Sequence, residues 1–150
     1  MPIDLPPGDV PSLDRFLQAQ ERDYAQALAE LQAGRKHTHW IWYVLPQLRG
    51  LGHSAMAERD GIDGRAEAEA YVAHPVLGPR LVACVRALLS HPELTAEEML
   101  GAVDAMKLRS CLTLFAEVAP GEGCFAEALG TFYEGQRDTR TLELLNASSG

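Results

Sequence analysis

Leu13, Phe16, Leu17, Tyr24, Ala27, Leu28 and Leu31 recur at the spacing that places them on one face of an α-helix, and Gly34 stands where such a helix needs a left-handed stop. A helix with one apolar stripe is marginal in water until that stripe is buried against other elements. The rest of the chain must therefore supply partners, and it supplies more helices. Residues 65–73 read as a helix ending at His74-Pro75, and Pro79 suits the first turn of another helix running to Leu89. Thr95-Ala96-Glu97-Glu98 is a capping-box signature that opens a helix near Thr95. Residues 104–118 are strongly periodic, Pro120-Gly121 breaks the pattern, and residues 124–133 and 139–145 give two last helices.

One stretch resists this reading. His37 to Leu45 is an unbroken aromatic and aliphatic run ended by Pro46, and periodicity fits a short buried helix or a buried strand equally. No second strand-like run exists to pair with it, so it is read as a short helix. The expected architecture is all-α: a single compact multi-helix bundle of about seven or eight helices with no significant sheet. One domain is expected over residues 12–147, opened by Ser12 as helix cap, with the four prolines of residues 1–11 forming an extended or disordered lead-in.

Composition narrows the function classes. A chain of 150 residues with 47% hydrophobic and 23% charged residues can build an ordinary globular core. With 21 acidic against 13 basic residues the formal charge is −8, and no run of Lys and Arg forms a phosphate-neutralising patch, which argues against nucleic acid as a partner. Cys84, Cys111 and Cys124 are odd in number and far apart, the pattern of buried free thiols. No apolar run approaches the roughly 18 residues of a membrane span. The start lacks the basic-then-apolar order of a signal peptide, so a cytoplasmic location and no membrane partner are expected.

Polar residues set among apolar ones mark the candidate site. On the helix of residues 104–118, Leu108, Cys111, Leu112, Phe115 and Val118 form a stripe headed by Asp104 and Lys107. The two charges are either a structural i,i+3 pair, with Asp104 capping and Lys107 reaching solvent, or a carboxylate and ammonium in a pocket. Gln20 lies mid-stripe between Leu17 and Tyr24 and must have a partner, either a backbone carbonyl of a neighbouring loop or a ligand. His39 with Trp40 and Trp42 combines an imidazole with flat indole walls, which suit a ring-shaped ligand and a plain core alike. The connector Arg49-Gly50-Leu51-Gly52-His53-Ser54 reads as a tight turn or a weak anion loop, and His74 as a helix C-terminal cap. No metal-ligand spacing or nucleophile motif is present, so neither metal nor cofactor is expected.

The strings His39-Trp40-x-Trp42, Pro46-Gln47, Gly50-Leu51-Gly52-x-Ser54, His74-Pro75-x-Leu77-Gly78-x-Arg80-Leu81, Asp104-x-x-Lys107-Leu108-x-Ser110 and Asp138-x-x-Thr141 resemble a bacterial family of unknown function. Its members are small all-α proteins, often carrying the name calpastatin. That name does not fit, since calpastatin proper inhibits through disordered repeats and this chain has capped helices and a core-forming composition. The resemblance implies the fold and the signature residues, and brings no activity with it.

Two functions remain open at this point. One is a small-ligand site for a nucleotide-like metabolite, with Trp40, Trp42, Gln47, Arg80 and Ser54 as binding residues and Asp104, Lys107 and His39 as candidates for acid/base chemistry. That reading expects Asp104 and Lys107 to meet His39 or Arg80. The other is a non-enzymatic structural or protein-interaction domain whose buried polar residues only fix how helices pack.

Overall fold

In the computed structural model, which describes residues 13–51, 55 and 60–148, the periodic opening segment forms helix α1 (Asp14–Ala33). Leu13 holds its cap position, and Ser12 and the proline-rich lead-in lie outside the described residues. Gly34 ends α1 with φ 79°, the left-handed turn that a side chain would disfavour. The aromatic run resolves as a single helical turn, α2 (Ile41–Val44), stopped before Pro46.

Five further helices follow as α3 (Arg65–Ala73), α4 (Leu77–Leu89), α5 (Ala96–Leu100), α6 (Ala102–Val118) and α7 (Cys124–Tyr133), and α8 (Thr139–Ser148) closes the series. The fold is all-α; the only ladder among the described residues is one parallel bridge between Leu48 and Ile62. Thr95 and Glu98 form the reciprocal capping box that opens α5. No single helix among the described residues is long and apolar enough to cross a membrane.

His74 holds the expected C-terminal cap position and serves the next helix as well. It is the C-cap residue of α3, its backbone N–H donating to Tyr71 O at 3.2 Å, while its Nδ1 accepts from the backbone N–H groups of Val76 and Leu77 at 3.0 and 3.2 Å and so also caps the start of α4. The reason is the sharp corner: α3 and α4 are bent 85° apart, and the ring faces the unpaired donors of the following helix. Gly78 makes that corner possible, because a Cβ there would lie 2.2 Å from the Val72 carbonyl oxygen.

α6 is the hub, packed against α3, α5, α7 and α8. Seven consecutive residues, Ser110 to Ala116, are buried, so the expected single stripe becomes a helix covered on all sides. Only its first turn stays open, with Val103 67% and Met106 73% exposed. An aromatic column ties the elements together: Phe16, Tyr71, Phe115 and Phe125 follow one another at centroid distances of 5.0, 5.5 and 5.6 Å across α1, α3, α6 and α7. Cys84, Cys111 and Cys124 are buried and free, and burial pushes the thiols of Cys84 and Cys124 up to about 12, which makes them inert.

Candidate functional site

Asp104 lies in the open first turn of α6 and holds two ammonium groups. Lys107, one turn on, reaches Asp104 Oδ1 at 3.1 Å, as the i,i+3 spacing allows. The second partner is Lys36, at 2.9 Å from Oδ2 and only 7% exposed. Burial opposes ionisation of Asp104, but the hydrogen bonds and charges of Lys36 and Lys107 outweigh it and hold the carboxyl below its usual range.

This cluster differs from the expected one. His39 is exposed, with only its carbonyl near the Tyr43 hydroxyl at 3.2 Å. Arg80 lies across the fold on α4, with its guanidinium 4.8 Å from the Tyr24 ring centroid and 3.4 Å from Gln20 Oε1. Lys36 takes their place because the connector after α1 passes α5, where its backbone N–H donates to Met99 O at 2.7 Å. No periodic pattern in the sequence marks such a connector residue.

Gln20 finds the backbone carbonyl that its position demanded. Its Nε2 donates to Tyr43 O at 2.7 Å and to the Tyr71 hydroxyl at 2.8 Å, so it satisfies a carbonyl at the end of the one-turn helix α2. Further along α1, Glu30 is also buried and went unnoticed in the sequence. One Glu30 oxygen accepts from the backbone N–H groups of His37 and Thr38 and from the Trp40 indole, at 2.7, 3.0 and 2.9 Å. The other accepts from the Thr38 hydroxyl and Gln26 at 2.7 and 2.8 Å. Burial pushes this carboxyl upward, yet the hydrogen bonds prevail and its pKa falls far below the ordinary glutamate range.

Beside the Asp104 cluster opens a cleft of about 500 Å³ between the α2 segment and the helices α6, α7 and α8. Trp42, Gln47 and Lys107, three of the residues singled out from sequence, line it. Trp40 does not, being 1% exposed and bound to Glu30. Ser54 lies outside the described residues. Lys107 Nζ rests 4.0 Å from the Trp42 ring centroid, a cation–π contact.

The far wall comes from residues that the sequence did not single out as ligands: Arg109, Ser110, Tyr133, Asp138 and Arg140. Arg109 donates through Nη2 to Arg137 O at 3.2 Å, while its buried Nε has no hydrogen-bond partner among the described residues. Tyr133 ties α7 to α6 by donating to Ala105 O at 2.5 Å, and burial raises its hydroxyl pKa. Asp138 caps α8: its Oδ2 accepts from the Thr141 N–H and hydroxyl at 3.0 and 2.5 Å and from the Ser110 hydroxyl at 3.3 Å. The Asp138-x-x-Thr141 string is therefore a helix cap, fastened to α6 by Ser110 and by Thr113, whose hydroxyl accepts the Asp138 N–H at 2.9 Å.

No curated protein matches this chain. Among solved structures, a conserved hypothetical protein from Mycobacterium tuberculosis, determined at 1.38 Å, is similar with 44% identity and a TM-score of 0.88, over 89% of this chain and 96% of that one. Residues 11–145 match the family described as Protein of unknown function (DUF1810). With nearly its whole length inside that match, and its helices superposing on a solved relative, the chain belongs to this family.

Proposed function

We propose that this protein binds a nucleotide-like small metabolite in the cleft between Trp42 and the helices α6, α7 and α8. The observation that carries the reading is the make-up of the lining: the Trp42 indole with the Lys107 ammonium on its ring shares one cleft with Arg109 and Arg140. Trp42 adds an indole surface for a ring, Lys107 a neighbouring charge, and the volume falls within the roughly 300–1,000 Å³ of small-molecule sites. Asp104 is engaged by two lysines and is absent from the lining, so the reading is binding and not acid/base catalysis.

Tryptophan emission tests it. Titration with a panel of nucleosides and nucleotides is expected to change the emission of the wild type and not that of Trp42→Phe, in which Trp40 alone reports. A panel that moves neither the emission nor the melting midpoint overturns the reading.

A further inference from the structure

Resting on that binding reading, we infer that the ligand carries a phosphate monoester, as in a nucleoside monophosphate, and that Lys36, which lies outside the cleft, is the positioning residue that leaves Lys107 free to meet it. The argument is a charge count on one carboxylate. Asp104 carries a single negative charge and holds two ammonium groups, Lys36 at 2.9 Å and Lys107 at 3.1 Å. Lys36 is the more buried of the two, 7% against 20% exposed, and its main chain is pinned to Met99 O. It neutralises Asp104 from the inner side. The surplus positive charge then resides on Lys107, the member of the trio that lines the cleft.

The next residue but one along α6 contributes the second charge. Arg109 lines the same cleft, and Arg140 adds an exposed guanidinium whose Nη1 lies 3.8 Å from Glu143 Oε1. Three cations, Lys107, Arg109 and Arg140, against two carboxylates, Glu97 and Asp138, leave the lining with one surplus positive charge. Asp138 is committed to the donors of Ser110 and Thr141, and Glu97 is exposed to solvent. Inside a protein of formal charge −8, this is a local cationic recess. An ammonium and a guanidinium side by side suit a phosphate monoester, which near pH 7 carries about 1.5–2 negative charges and three acceptor oxygens. The Trp42 ring beside Lys107 gives the attached base a surface to lie on. A neutral nucleoside would leave both cations unanswered.

Calorimetric titration decides the matter, using the 5′-monophosphates of adenosine, guanosine, cytidine and uridine and the four matching nucleosides. At least one monophosphate is expected to bind about tenfold or more tighter than its nucleoside. Lys36→Met should lose about tenfold for that monophosphate and leave the nucleoside within about twofold, since Asp104 then draws Lys107 to itself; Lys36→Arg should restore the affinity. Lys107→Met should show a similar loss, and the double variant no further one, because Lys36 acts through Lys107. Asp104 keeps one lysine in each single variant, and circular dichroism checks the fold; should Lys36→Met not fold, Lys36→Gln takes its place with the same expected loss. Equal losses for monophosphate and nucleoside, no loss, or additive losses overturn the inference. Nucleosides binding as tightly as monophosphates overturn it while the binding reading stands; failure of all eight compounds to bind overturns both.

Discussion

Trp40 and Trp42 are two residues apart in the sequence and meet opposite environments. Trp40 is 1% exposed, its indole donor given to Glu30, which collects four further hydrogen bonds from α1 and the connector. Trp42 is half-buried, lines a cleft, and has an ammonium on its ring. The first environment is closed: each donor near Glu30 has its acceptor. The second leaves charge and a buried donor unanswered. Aromatic content alone therefore says little about function, and the accounting of donors and acceptors around each ring says much.

The contrast can be broken at its closed end first. Glu30→Ala strips the Trp40 indole, two backbone N–H groups and the Thr38 hydroxyl of their acceptor at once. With about 1–3 kcal/mol for each stranded donor and some relief by water, urea unfolding should show a loss of about 3–5 kcal/mol. The same carboxyl sets an acid limit. Its folded pKa lies below the unfolded value near 4.3, so its stabilisation is present above that value and drains as pH falls toward the folded pKa. Asp104 has the same sign. Unfolding midpoints measured between about pH 6 and pH 2 should be level at first and fall below about pH 4.5, more shallowly in the Glu30 variant.

Toward the open end the expected effects shrink. Asp104→Asn leaves the nearly buried Lys36 without its counter-charge and should cost about 3 kcal/mol in urea. Lys107→Met leaves Asp104 still paired with Lys36 and should cost less than about 1 kcal/mol. Comparable losses from these two variants would mean that Lys107 is as structural as Lys36, and the contrast between the two tryptophans would lose its meaning.

Helices were legible because their signals are local. The bounds of α3 and α7, the end of α4, and the Thr95 capping box follow from caps, prolines and period, and the demand of Gln20 for a carbonyl follows from its place in the stripe. The candidate site was legible in part. Trp42, Gln47 and Lys107 do line one cleft, because the first sits in the aromatic run and the last heads a stripe. Glu30 had a readable signal, three residues after Ala27 on the same face, that its charge obscured. Lys36 and Arg109 had none: which connector cation reaches Asp104, and which wall α8 presents, depend on how distant elements pack. His39 and Arg80 looked equally suitable by residue type and were carried elsewhere by the direction of their backbones.

The cap at Asp138 has a consequence for motion. α8 is held to α6 through its first turn, by Ser110 and Thr113, and its Thr141 and Leu145 are buried. A terminal helix joined mainly to one neighbour opens at a lower free energy than a central one, so amide hydrogen exchange should invade α8 well before α6. Asp138 and Arg140 stand at the start of α8 and also line the cleft. Opening this helix dismantles the recess while the hub stays intact, and by linkage any occupant that touches those residues must slow exchange along the whole of α8.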